Sequence, residues 1–217
     1  MNAPERFALP DIQSQVDTRN LPIDAVGIRG VRYPLTVLAG SGGPLPTIAT
    51  LTMTVGLPAV AKGTHMSRFI ELLEQQAQPL TPALLRRMLD AMVDALAAES
   101  GAIEMAFPYF VSKAAPVSRV MSRLDYDVRW RAAVAGSRPQ PFRVRVVVPA
   151  TSLCPCSKEI SEYGAHNQRS HISIEVDLYD DVPLEHLIAL AERSASCEVY
   201  GLLKRPDEKY VTEQAYD

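Results

Sequence analysis

Strand-like runs grouped in pairs around helical runs constrain this chain more than any other feature of its sequence. Residues 26–37 (VGIRGVRYPLTV) and 46–55 (PTIATLTMTV) are rich in Val, Ile, Thr and Leu, with the turn-forming Gly40-Ser41-Gly42-Gly43-Pro44 between them. That pattern predicts a hairpin. Residues 67–78 carry Phe69, Ile70, Leu72 and Leu73, and residues 81–98 open at a Thr-Pro pair and space Leu84, Leu85, Met88, Leu89, Met92, Val93 and Leu96 helically, so two helices follow. Residues 102–111 and 117–134 return to strand composition, the second alternating Tyr126, Val128 and Trp130 with Asp127, Arg129 and Arg131. The first unit therefore reads ββααββ.

The remainder starts in the same way. Residues 141–149 and 171–178 alternate as strands, and residues 183–195 form a helical pattern with Leu184, Leu187, Ile188, Leu190 and Ala191 on one side. The charged turn Lys204-Arg205-Pro206-Asp207-Glu208-Lys209 is a place for another helix to begin. The expected architecture is α+β: an arm over 1–20, a first module over 21–135, and a second over 136–217 that stops before its last strands.

At 217 residues, 47% hydrophobic and 22% charged, the chain suits a soluble globular protein with a sizeable core. It has no apolar run near the roughly 20 residues of a membrane helix. Residues 1–20 mix Glu5, Arg6, Asp11, Asp17 and Arg19 with polar residues, which is no secretory signal, so a cytoplasmic address follows by default. Three cysteines, two of them one residue apart, argue for reduced thiols in metal or thiol chemistry rather than a disulfide framework. A net charge of -3 argues against a general nucleic-acid binder.

Residues 152–171 concentrate the chemistry. They hold Cys154, Cys156, His166 and His171 as metal-type ligands, Lys158 and Arg169 as cations, and Glu159 and Glu162 as carboxylates. Such a mixture points to metal-assisted reaction of an anionic substrate. Cys156 reads either as a catalytic thiol beside Cys154 or as a small buried residue, and His171 either as a proton donor or phosphate contact or as a half-buried strand residue. Cys197 reads as a core cysteine. A rival arrangement is a closed structural zinc site of Cys154, Cys156, Cys197 and His166 in a non-catalytic module. A redox pair at Cys154 and Cys156 lacks the usual CxxC spacing.

Six motifs spread over the chain are Lys62-Gly63-Thr64-His65-Met66-Ser67-Arg68-Phe69, Phe107-Pro108-Tyr109-Phe110, Ala115-Pro116-Val117-Ser118, Cys154-Pro155-Cys156-Ser157-Lys158, Gly164-Ala165-His166-Asn167-Gln168-Arg169 and Lys204-Arg205-Pro206-Asp207-Glu208-Lys209. Together they resemble the GTP cyclohydrolase IB family. The resemblance implies a tunnelling fold (T-fold), with two modules of antiparallel sheet and helices on one face. It also implies a homotetramer with active sites between subunits. The implied reaction converts GTP and water to formate and 7,8-dihydroneopterin triphosphate, the entry to folate or to queuosine-type deazapurines. It further implies a divalent metal (Mn, Fe or Zn) held by Cys154, His166 and Glu208, with Cys154, Cys156 and His166 catalytic.

The cations fit a triphosphate substrate. Lys62, His65 and Arg68 stand where a strand meets a helix whose free amides favour phosphate; a solvated turn and cap is the plainer reading. Lys113, Arg119, Lys158 and Arg169 are each ordinary surface charges alone and suit phosphates as a set, with His171 beside them. In the family, a purine-anchoring glutamate and a histidine-bearing strand fall beyond the position of Asp217. The expectation is therefore an incomplete second module and a poorly soluble or inactive form.

Overall fold

The computed structural model describes residues 12–13, 15–40, 43–136, 138–162 and 167–216. Strands β1 (Ile23–Leu38) and β2 (Pro44–Leu57) form the first hairpin. Helices α1 (Ser67–Glu74) and α2 (Pro82–Ala95) follow, then β3 (Gly101–Ala114) and β4 (Met121–Ala135). The short β5 (Arg138–Pro139) leads into β6 (Phe142–Leu153), α3 (Pro155–Ile160) and β7 (Asn167–Leu178). The chain continues through α4 (Leu184–Arg193), β8 (Cys197–Glu198) and α5 (Arg205–Tyr216). The expected α+β class and the antiparallel strand order are observed.

The strands form one antiparallel sheet in the order β1-β2-β3-β4-β6-β7, with β5 on β4 and β8 on β6. Period-two alternation divides its faces. Ala49, Leu51, Met53 and Val55 of β2, Ile103, Met105, Phe107 and Tyr109 of β3, and Val144, Val146 and Val148 of β6 are buried. They share one core with Phe69 and Leu73 of α1, Leu85, Met88, Leu89 and Met92 of α2, and Leu184, Ile188 and Ala191 of α4. These helices therefore cover a single face. The opposite face carries Thr50, Thr52, Glu104, Arg129, Arg131, Arg143 and Arg145 at the intervening positions.

The core runs without a break across the boundary near residue 135. Trp130 of β4 meets Phe107 of β3 edge-on at 5.0 Å and Phe142 of β6 at 5.9 Å. Each such contact contributes about 0.5–1.5 kcal/mol beyond its buried area. The predicted Thr-Pro start of α2 is present: Thr81 Oγ1 accepts the Leu84 N–H at 3.1 Å, and Pro82 fills the first turn, where its missing N–H costs nothing.

Local chemistry shifts three boundaries. The strand expected from residue 117 begins at Met121, because residues 115–120 form a turn closed by Ala115 N–H to Val120 O at 2.9 Å. The first helix stops at Glu74 instead of reaching residue 78, in keeping with Pro79, which disfavours helix at the residue before it. The polar segment after Cys154, given no element from the sequence, is a helix, α3, with Pro155 in its first turn.

Candidate metal and substrate site

The predicted site residues divide between the two ends of the sheet. At one end β3 leaves and β4 enters, β6 terminates and β7 begins, as the pairs Lys113–Ser122 and Leu153–Asn167 show. Here lie Cys154, Cys156, Lys158, Lys113, Arg119, Arg169, His171 and, through α5 packed on β6 and β8, Glu208. At the other end, marked by the pairs Val55–Gly101 and Gly101–Val134, lie Lys62, His65 and Arg68. Strand β3 alone has 14 residues, roughly 40 Å of chain at the usual rise. One chain does not bring the two groups together.

Cys154 ends the β6 excursion with extended backbone angles (φ -85°, ψ 110°) and sits at the N-terminus of α3. Its carbonyl accepts the Ser157 hydroxyl at 3.0 Å and the Lys158 N–H at 3.2 Å. The Ser157 backbone N–H, then the Ser157 hydroxyl, lower the pKa of the Cys154 thiol against a smaller desolvation effect. A thiolate is the form that binds a metal, so this donor fits the expected cation. Cys156 is exposed, which excludes the reading of it as a small buried residue. Cys197 is buried in β8, and burial pushes its thiol up, as expected of a core cysteine.

Glu208 is exposed in the first turn of α5, where one carboxylate oxygen, Oε2, accepts Arg205 at 2.9 Å. His166 lies outside the described residues. Among the described residues no three His, Cys, Asp or Glu side chains stand close enough to hold a metal ion. Arg169 and His171 are exposed on β7 opposite Thr151 and Pro149; the half-buried reading of His171 does not hold. Lys62 Nζ donates to Gln15 Oε1 at 3.0 Å, Arg68 donates to the Ala95 carbonyl, and His65 is partly buried.

Lys113 is differently placed from the other cations. Its ammonium contacts Glu192 Oε1 at 2.8 Å, Glu198 Oε2 at 2.7 Å and the Val199 carbonyl at 3.1 Å, and stands 4.8 Å over the Tyr200 ring. Tyr126 also donates to Glu192 Oε1, at 2.7 Å. A phosphate at Lys113 would have to displace a carboxylate. Sequence reasoning missed Glu192, although its spacing of four from Ile188 and eight from Leu184 sets a charge on the apolar stripe of α4.

Asp207 was missed as well. It is fully buried. Its Oδ1 accepts the backbone N–H groups of Val117 (2.9 Å) and Ser118 (2.8 Å), and its Oδ2 accepts the Ser118 hydroxyl (2.6 Å) and the Lys204 N–H (2.8 Å). Burial alone would raise its pKa; the bonds from Ser118, Lys204 and Val117 outweigh it and hold the carboxyl well below the usual range. The available signal was an acid at the third helical position after Lys204, the place of a capping-box acid.

The geometry defines a class: an α+β protein with a thiolate-favouring cysteine and several cations gathered where its strands end. Residues 9–217 match the family model described as type I GTP cyclohydrolase FolE2. Similar curated proteins named GTP cyclohydrolase FolE2 include one from Bordetella petrii, 56% identical over 220 residues that span 100% of this chain and 83% of the relative. Others are from Paraburkholderia phymatum (55% identical, 97% of this chain, 78% of the relative) and Burkholderia multivorans (56%, 97% and 78%). The chain belongs to the type I GTP cyclohydrolase FolE2 family.

Proposed function

We propose that this chain hydrolyses GTP to formate and 7,8-dihydroneopterin triphosphate, the first step of folate synthesis, at a metal-dependent site shared between copies of the chain. The family match over residues 9–217 supports the reaction. The separation of Cys154 from the 62–68 segment by the length of the sheet supports the shared site. Two tandem T-fold modules, 21–135 and 136–217, assembling as a homotetramer, would bring the Cys154 end of one copy against the Lys62 end of another. No helix among the described residues is long and apolar enough to cross a membrane, which accords with a cytoplasmic biosynthetic enzyme.

Cys154, His166 and Glu208 are the proposed ligands of a divalent Mn, Fe or Zn ion. Such an ion supplies Lewis acidity that makes water nucleophilic near neutral pH, as opening the imidazole ring at C8 requires. The thiolate-favouring bonds at Cys154 and the second carboxylate oxygen of Glu208, not engaged by Arg205, fit that role. Cys156, exposed two residues beyond Cys154, is the proposed catalytic thiol that holds or passes a proton. Lys158, Arg169, His171 and Arg119 face the substrate from this end, and Lys62, His65 and Arg68 of another copy add cations for the triphosphate. Lys113 joins them only by exchanging a carboxylate partner.

Metal content and formate release from GTP, measured on the same preparations, test the assignment. Cys154→Ala and Glu208→Ala should lose metal and activity together, and Cys197→Ala should keep both. Metal lost from Cys197→Ala but kept by Glu208→Ala would instead support the closed Cys₃His zinc module.

A further inference from the structure

Asp207 stands beside the proposed ligand Glu208 yet faces away from solvent, and its four hydrogen bonds join segments about ninety positions apart in sequence. The Lys204 bond is local. It makes half of a capping box, with the acid at the third helical position reaching back to the first residue before α5, while Glu208 N–H closes the first helical bond to Lys204 O at 2.9 Å. The other three reach the turn between β3 and β4. Two successive amides, Val117 and Ser118, converge on one oxygen, and the Ser118 hydroxyl takes the other.

The next residue in that turn is Arg119, with φ +60°. A left-handed non-glycine conformation persists only where its surroundings over-determine it, and such residues gather at functional sites. Two bonds local to the turn, Arg119 N–H to Ala115 O at 3.2 Å and Ala115 N–H to Val120 O, hold its ends. Asp207 holds its middle. Arg119 is exposed, so its backbone is constrained while its guanidinium is presented outward.

We propose that Asp207 is a positioning residue that binds the first turn of α5, carrying Glu208, and the β3–β4 turn, carrying Arg119, into one rigid unit. The inference rests on the reading of Glu208 as a metal ligand and Arg119 as a substrate cation. A carboxylate suits the task because it accepts on both oxygens at once. Asparagine keeps one accepting oxygen for the Val117 and Ser118 amides; its amide nitrogen can donate to the Ser118 hydroxyl in place of accepting from it, but it meets the Lys204 N–H donor against donor and loses that bond. Glutamate, one methylene longer, would not fit the fully enclosed position without moving a turn.

The test uses the full chain loaded with Mn, Fe or Zn and compares Asp207→Asn, Ser118→Ala and Glu208→Ala with the parent. Three readouts are taken: the metal dissociation constant, KM and kcat for GTP, and the thermal midpoint. Loss of a group that orients a ligand weakens metal binding by about ten- to a hundredfold, and that loss is expected for Asp207→Asn together with a raised KM. Ser118→Ala, which removes one hydroxyl and leaves both amide bonds, should stay folded and shift both quantities in the same direction by a smaller factor.

A lowered thermal midpoint with metal affinity and KM unchanged in the folded variants would make Asp207 a structural cap and overturn the proposal. If Glu208→Ala keeps its metal, the ligand reading itself falls, and the proposal with it. If Glu208→Ala loses metal while Ser118→Ala and Asp207→Asn bind as the parent does, the ligand reading stands and the positioning role alone is refuted.

Discussion

Replacing Lys113 by methionine is the perturbation whose cost the structure specifies most closely. The ammonium and the Glu192 carboxylate are 2.8 Å apart, with side chains 10% and 9% exposed. Removing one partner of a buried pair costs about 3–5 kcal/mol, because the other charge stays desolvated without compensation. Glu198 is 38% exposed and turns to water, and Tyr126 still donates to Glu192, so the cost falls at the lower end, about 3 kcal/mol. Glu192→Leu leaves Lys113 with Glu198 and the Val199 carbonyl but deprives the buried Tyr126 hydroxyl of its acceptor, at about 2 kcal/mol. The double variant replaces the pair by apolar groups of similar size and should cost no more than about 2 kcal/mol. The coupling is therefore about 3 kcal/mol, far above the few tenths expected of independent sites. Urea unfolding at fixed protomer concentration measures it, with the denaturant slope unchanged. For a chain of this size, 3 kcal/mol also lowers the thermal midpoint by about 6–12 °C. Costs of the two single variants that simply add, or a Lys113→Met cost below about 1 kcal/mol, would refute the reasoning.

Alkaline pH should destabilise the fold. Burial, then hydrogen bonding to Glu185 and Glu192, raises the phenols of Tyr109 and Tyr126, and burial pushes Tyr200 up to about 12. An unfolded chain releases these protons near pH 10. The stability they contribute is therefore complete below about pH 10 and drains away as pH rises toward the folded values. Thermal midpoints across that range should fall, and a midpoint flat to about pH 12 would contradict the reading. Thr81→Ala removes the N-cap bond of α2 and should cost about 1 kcal/mol by urea unfolding, whereas Thr81→Ser should be close to neutral.

Much of the fold was readable because long strands and helices carry their own periodicity. The hairpin of β1 and β2 followed from β-branched runs around a glycine-rich turn, and α2 from its Thr-Pro start and apolar spacing. What sequence reasoning missed depends on contacts distant in the chain. Residues 117–120 of the turn after β3 looked like strand because Asp207, which captures the Val117 and Ser118 amides, lies about ninety positions away. Helix α3 is six residues long, too short to show a period, and the two-residue β8 exists because β6 offers Ala150 and Thr151 as partners. The same distinction holds for the site. Cys154, Cys156 and the cations were visible as residue types gathered in motifs. Glu192 and Asp207 gain their roles from burial against Lys113, Tyr126 and Ser118, and burial of a charge is a property of packing.

The shared site is the central claim, and subunit complementation tests it most directly. Cys154→Ala and Lys62→Ala chains, each nearly inactive alone, are mixed, allowed to exchange subunits and loaded with metal, and formate release from GTP is measured. If each site takes its cysteine end from one copy and its Lys62 end from another, random assembly should restore about a quarter of the parent activity. A mixture in which subunits have exchanged but which is no more active than its two components would contradict the account.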